Sequence, residues 1–383
     1  MSDLTQFKNL PKEWNVLPFL DAVKDVTGGN TKIKQSDARE IGTYPVIDQG
    51  QQTCCGYVDD DNALCKEELP TVLFGDHTKI IKLIDYPFVL GADGVKVLSP
   101  KIPMDKKFLF YFLNTIKLPD NAGYSRHYKF LKEAVVPVPP LAEQKRIAAI
   151  LDKADSLRRK NQQAIQLADQ FLRAVFLDMF GDPVTNPKEW KVSELGKLCK
   201  KITDGTHHSP MITETGIPYI TAKHLKKSGL EFYKAPWYIS PDSHKTIYAR
   251  CKPEKYDVLY IKDGATTGLA AINEYDFEFS MLSSLALLKP NRDLLLPEFL
   301  TMFLNHPRSK SMIIANMSGA AITRLTLAKI KDIQIPIPPI TMQKKFSLIY
   351  WNVRATLEKT CSCTIFSDNE FNSLSQKAFA GEL

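Results

Sequence analysis

Two stretches of the chain, residues 141–180 and 340–380, contain neither glycine nor proline and carry apolar residues at steps of three and four. That period marks one face of a long helix. Each stretch follows a double proline, Pro139-Pro140 or Pro338-Pro339, which suits the first turn of a helix. At about 1.5 Å per residue each helix should be roughly 60 Å long. In the first, Ile147, Ile150, Ala154, Leu157, Asn161, Ala164, Ala168, Phe171 and Val175 form a heptad seam, with Asn161 as a single polar position that fixes register. In the second, Phe346, Ile349, Val353 and Leu357 begin a seam that the weak helix formers of 360–365 interrupt. That helix should depend on a partner, and the path of the chain predicts that the two pair antiparallel, bringing Leu383 back towards the N-terminal segment.

The rest of the chain is written twice. Pro11-Lys12-Glu13-Trp14 recurs as Pro187-Lys188-Glu189-Trp190, and at the same separation Gly29 falls on Gly205. Phe112-Leu113-Asn114 answers Phe303-Leu304-Asn305, Pro137-Val-Pro-Pro140 answers Pro336-Ile-Pro-Pro339, Gln144 answers Gln343, and Phe180-Gly181-Asp182 answers Ala380-Gly381-Glu382. Strings that keep their order over this length indicate a duplicated unit. Ahead of each long helix lies a region of short β-branched and aromatic runs, such as Thr71 to Phe74, Phe88 to Leu90, Asp257 to Ile261 and Ser284 to Leu288, separated by turn residues. Helical periodicity is clearest at Lys106 to Ile116 and Pro297 to Asn305. The predicted fold is mixed α/β: two similar domains, 1–136 and 184–335, joined by long helices within 137–183 and 336–383, with a pseudo-two-fold internal repeat.

Composition narrows the function. The 383 residues are 44% hydrophobic and 24% charged, enough for two or three globular cores. No apolar run is long enough to span a bilayer and no secretory pattern opens the chain, so a cytoplasmic protein without membrane contact is expected. The seven cysteines, 54, 55, 65, 199, 251, 361 and 363, show no metal-ligand spacing, and Cys361 and Cys363 would point to different helix faces. No metal site is predicted. A formal charge of +7 favours a polyanionic partner. The nucleotide-phosphate loop, the dinucleotide turn, the H-E-x-x-H zinc motif and the Asn/Asp-Pro-Pro-aromatic motif of amino-methyltransferases are all missing from the sequence, so no catalytic residue is predicted.

Several runs resemble a known family. Pro137-Val-Pro-Pro-Leu-Ala-Glu-Gln-Lys-Arg-Ile147 with its helix and the closing Phe180-Gly-Asp-Pro183 look like the central conserved region of type I restriction-modification specificity subunits. Ile335-Pro-Ile-Pro-Pro-Ile-Thr-Met-Gln343 and Phe379-Ala-Gly-Glu-Leu383 look like the distal one, although Thr341-Met342 replaces the usual acidic residue. Tyr44-Pro-Val-Ile-Asp-Gln-Gly50, Phe74-Gly-Asp-His-Thr78 and Gly123-Tyr-Ser-Arg-His-Tyr128 resemble one class of target recognition domain, and Asp204-Gly-Thr-His207 with Gly216-Ile-Pro-Tyr-Ile220 resembles another. The resemblance implies a non-catalytic subunit that reads an asymmetric, bipartite site in double-stranded DNA. It further implies two modification and two restriction subunits as partners, and it assigns S-adenosylmethionine, ATP and magnesium to them, with no cofactor in this chain.

Base edges are read by side chains on loops, while basic and small polar groups hold phosphates. Loops that combine glycine with such residues give His77, Thr78, Lys79, Arg126, Tyr128 and Lys129 as DNA-contact candidates in the first domain. In the second they give Thr206, His207, Lys223, Lys262, Thr266 and Arg324. Gln144, Arg158, Arg159, Lys160 and Arg173 are expected to lie off the helix seam, available to a protein partner. Two other classes are weighed: acid–base chemistry at Asp76-His77 or at Asp204 with His207, which lacks a nucleophile or metal set, and a coiled-coil adaptor that binds protein only.

Overall fold

The computed structural model describes residues 10–92, 94–119, 126–315 and 325–383, and for 361–366 the helical backbone. The pair Cys361 and Cys363 therefore lies outside the described side chains, as does Arg324. The chain divides into two compact units, 1–163 with 361–383, and 164–360. The division falls within both long helices, Leu141–Phe180 and Ile340–Ala380.

In the first unit, strand Asn15–Pro18 pairs antiparallel with Val135–Val138. A four-stranded antiparallel sheet runs in the order Val23–Asp25, Val95–Pro100, Thr71–Gly75, Ile81–Ile84. Alternation along Thr71–Gly75 places Val72 and Phe74 in one core with Phe108, Phe112 and Ile147, and Leu73 in another with Ile47, Phe88 and Leu90. Both faces are covered, which is why the run is apolar throughout. A second sheet, Lys32–Ile33, Val89–Gly91, Tyr44–Ile47, Gly56–Val58, contains the parallel pairs Lys32↔Leu90 and Val46↔Val89.

The second unit repeats this plan. Val192–Glu194 pairs antiparallel with Gln334–Pro336, and the main sheet runs Cys199–Asp204, Leu285–Pro290, Val258–Ile261, Ala270–Ile272. Here Val258 and Tyr260 enter one core and Leu259 and Ile261 the other. The parallel pairing returns as Tyr219↔Ser280. The internal duplication is therefore a duplication of topology.

A buried glutamine joins each domain to its long helix. Gln144 accepts from the Asp105 amide (2.8 Å) and donates to the carbonyls of Pro139 (2.8 Å) and Pro103 (3.4 Å). Gln343 accepts from the Leu296 amide (2.9 Å) and donates to Pro338 (2.9 Å) and Leu294 (3.0 Å). Both side chains are closed off from solvent. Gln144 is thus a structural clamp rather than part of a docking face. Its amide meets three backbone groups that no regular ladder satisfies, and burial makes that match obligatory.

The long helices run antiparallel, because in each unit the start of one meets the end of the other. In the first unit Ile147, Ala148 and Leu151 share a core with Ala378 and Phe379, and Arg146 donates to the Leu383 carbonyl at 2.6 Å. In the second, Phe176 and Phe180 pack against Phe346 at ring separations of 5.7 and 5.5 Å.

The seam differs from the heptad reading. Ile147 is buried, Ile150, Ala154, Asn161, Ala168 and Val175 are half-buried, and Ala164 is exposed. Leu157 and Phe171, counted into the seam, are 52% and 51% exposed. The buried positions are instead Gln144, Ile147, Ala148, Leu151 and Asp155 at one end and Leu172, Phe176 and Phe180 at the other, with none between. Each end packs on its own domain as well as on the other helix, so domain packing sets the phase. In the second helix Phe346 and Tyr350 are buried and Ile349, Val353 and Leu357 half-buried. Arg158, expected on the outward face, faces the second helix: its guanidinium lies 4.6 Å from the Phe371 ring and pairs with buried Asp155 at 2.6 Å. Arg159 is held by the same carboxylate at 2.7 Å and Arg173 by Asp169 at 3.0 Å, while Lys160 is exposed.

Replacing Gln144 by Leu leaves the Asp105 amide and two carbonyls without partners, at a cost on the order of 1–3 kcal/mol. Hydrogen exchange should accelerate at Asp105 and along Lys106–Thr115 while the Leu296 amide keeps its protection. Gln343→Leu should show the reverse pattern.

Candidate nucleic-acid interface

In the first unit, Val23–Asp25 and Thr71–Gly75 both run antiparallel to Val95–Pro100. Their C-terminal ends therefore emerge at the same end of the sheet. There the hairpin loop 76–80 is tied down on two sides. Buried Asp76 accepts from the Tyr128 amide through Oδ1 (2.8 Å), and its carbonyl accepts from the His127 amide (2.7 Å) and from His127 Nδ1 (3.0 Å). Gln49 accepts from the His77 amide (3.0 Å), and its carbonyl accepts from the Thr78 hydroxyl (2.6 Å). Lys79 adopts φ 62° at the turn, a left-handed conformation uncommon outside glycine.

The tie at Asp76 brings the 126–129 segment beside the hairpin loop. Arg126, Thr78 and Lys129 are exposed, and His77 and Lys79 half-buried. Tyr128 is different. Its ring is only 8% exposed and sits edge-on to Phe19 at 6.3 Å, and burial pushes the phenol up to about 12. Tyr128 anchors the loop in the core instead of presenting a side chain at the surface, a correction to the sequence reading. Gln49, which stitches two loops together, was missed; it lies in Tyr44-Pro-Val-Ile-Asp-Gln-Gly50, but nothing local marks its role.

The second unit builds the corresponding sheet end with other chemistry. Cys199–Asp204 and Val258–Ile261 both run antiparallel to Leu285–Pro290, so Asp204 and Lys262 emerge together. Asp204 is 3% exposed and faces three nitrogen-bearing side chains: Arg250 Nη2 at 2.7 Å, His207 Nε2 at 3.5 Å and Lys262 Nζ at 3.6 Å. Lys262 also pairs with Asp263 at 2.9 Å. Thr206 bonds back to the His208 carbonyl and amide (2.9 and 3.2 Å), holding the 206–208 turn. Gly205 has no room for a side chain, since a Cβ there would lie 1.9 Å from the Met281 carbonyl oxygen. Thr206, His207, Lys262 and exposed Thr266 thus share one end of the sheet, but Lys262, at 8% exposure and held by Asp204 and Asp263, is buried like Tyr128, a second correction to the sequence reading. Lys223 follows strand Ile217–Ile220 and holds its ammonium 3.2 Å from the Trp237 ring centre, with its pKa lowered by burial. Arg250 was missed because it closes helix Pro241–Arg250, far along the chain from Asp204.

The model of the type I restriction modification DNA specificity domain matches residues 11–167 and again 187–360. The chain belongs to this family. Its relatives include the MjaIX type I restriction enzyme specificity subunit of Methanocaldococcus jannaschii, 23% identical with 89% of this chain and 87% of that protein covered. They also include the EcoBI specificity subunit of Escherichia coli, 22% identical with 83% and 74% covered. The crystal structure of the S subunit of a type I restriction-modification system from M. genitalium superposes with a TM-score of 0.66 at 16% identity, covering 97% of both chains. That likeness is one of fold.

Within this specificity fold, the contact at Gly205 predicts a local intolerance. Gly205→Ala should destabilise the second unit by about 1–3 kcal/mol, because backbone must move. Gly28→Ala, which meets nothing within 4 Å, should change stability by less than about 0.5 kcal/mol. Thermal unfolding of the two variants checks the contrast; equal midpoints would contradict it.

Proposed function

We propose that this chain reads an asymmetric, bipartite site in double-stranded DNA and directs partner subunits to it. The observation that carries this reading is the repetition of one topology with unlike chemistry at its reading end. The residue that follows the central strand is Asp76 in the first unit and Lys262 in the second. Both are buried, and the side chains that stand exposed beside them differ: Thr78, Arg126 and Lys129 at the first sheet end, His207 and Arg250 at the second, so each domain would read its own half-site. Two readers on one chain would meet the duplex at separated positions with uncontacted bases between them.

Catalysis in this reading belongs to the partners. Two modification subunits would bring S-adenosylmethionine for methylation, and two restriction subunits would bring ATP and magnesium for cleavage. Among the described residues no three His, Cys, Asp or Glu side chains group as metal ligands, and no helix is long and apolar enough to cross a membrane. Apolar side chains left open on the first long helix favour a protein partner there: Leu167 and Phe171, one helical turn apart, are 55% and 51% exposed and so form neighbouring apolar surface. Phe171→Glu should weaken co-purification with a modification subunit about tenfold or more.

Domain exchange tests the modular reading. Replacing residues 1–136 by the first domain of another family member, and mapping methylated adenines in a host that supplies the modification subunit, should change one half-site and leave the other intact. A change in both halves would defeat it.

A further inference from the structure

Asp204 is a full negative charge set at the end of a sheet proposed to face a polyanion. Simple electrostatics makes it a liability for DNA binding, and burial makes an unpaired carboxylate costly in its own right. Its surroundings resolve both costs. Its oxygens face Arg250 at 2.7 Å, His207 at 3.5 Å and Lys262 at 3.6 Å, and at 3% exposure it cannot itself reach a ligand. Two of its partners can: the side chains of Arg250 and His207 are each 54% exposed. Arg250 is further fixed at its backbone, where Lys201 donates to its carbonyl at 2.9 Å. The guanidinium is thus gripped from behind while much of its surface faces outward. A guanidinium presents five donors in a planar fork, so one bond to Asp204 leaves others for an anion.

We infer that Asp204 is a positioning residue that aims Arg250 and His207 at one backbone phosphate of the second half-site. The inference rests on the DNA-reading proposal and adds Arg250 as a phosphate-contacting residue of that domain. A pre-held arginine loses little side-chain freedom on binding, which is where a buried carboxylate repays its own charge.

The test turns on a sign. If Asp204 is a bystander, Asp204→Asn removes a negative charge near DNA, so binding should tighten. If it positions Arg250, binding should weaken by about tenfold, and the slope of log K against log salt should become shallower by about 0.9, the contribution of one phosphate contact. Arg250→Gln should give the same loss and the same slope change. The double variant should be no worse than Arg250→Gln alone, because both changes remove one contact. Binding is measured on the full chain assembled with modification subunits, using duplexes scrambled in either half-site. Discrimination at the first half-site should stay at its wild-type level in every variant. Thermal unfolding accompanies each variant. Should Asp204→Asn fail to fold, Arg250→Gln and Arg250→Lys decide the matter: a shallower slope in the first with partial recovery in the second supports the inference, and wild-type slopes in both overturn it. Tighter or unchanged binding by a folded Asp204→Asn also overturns it. If the wild-type complex does not distinguish cognate from scrambled second half-sites, the recognition reading itself fails. If it does and the variants behave as wild type, only the positioning role is lost.

Discussion

A primary amide with every hydrogen-bonding group satisfied in a dry site holds each half of the molecule together. Gln144 and Gln343 stand in the first turns of the long helices, and each bonds the backbone at the entrance to a shorter helix, Lys106–Thr115 or Pro297–Asn305. A buried amide has two donors and an acceptor fixed in a plane, so it specifies orientation as well as proximity. An apolar residue of equal volume would fill the space but leave the carbonyls of Pro139 or Pro338 unpaired. The angle at which each long helix leaves its domain follows from this match, and the packing of Ile147 or Phe346 follows from that angle.

Much of this was legible in the sequence. The glycine- and proline-free stretches gave both helices, and the recurring strings gave the duplication, because such signals are local and repeat with the chain. The heptad phase was not legible. Leu157 and Phe171 satisfy a seven-residue count as well as the true core positions do, and what decides between them is contact with elements distant in sequence, such as Phe299 against Phe176. Gln144 read as an outward polar residue for the same reason. Its partners are backbone groups, which leave no mark on composition.

The site divides along similar lines. Loops rich in glycine, threonine and histidine pointed to Thr78 and His207, which stand exposed at the two sheet ends, because polar side chains on tight turns are what a base-reading surface requires. Tyr128 was misjudged because an aromatic residue between basic ones looks the same whether it stacks on a base or fills a core; the rings of Phe19 and Phe74 decide for the core. Arg250 escaped notice since its relevance depends wholly on Asp204, which only the sheet brings near.

The division of the chain into units also sets an order of assembly. Residues 164–360 form one contiguous unit, whereas the other is split between 1–163 and 361–383. Phe371, Leu374, Ala378 and Phe379 belong to the core that Phe108, Phe112 and Ile147 begin. As the chain leaves the ribosome, residues 1–163 must therefore wait with an open apolar face until 361–383 arrive, while 164–360 can close ahead of them. Contacts of such long sequence separation slow folding and prolong the exposure of sticky surface. The half that is written first is finished last, and it is there that the nascent protein most needs protection from aggregation.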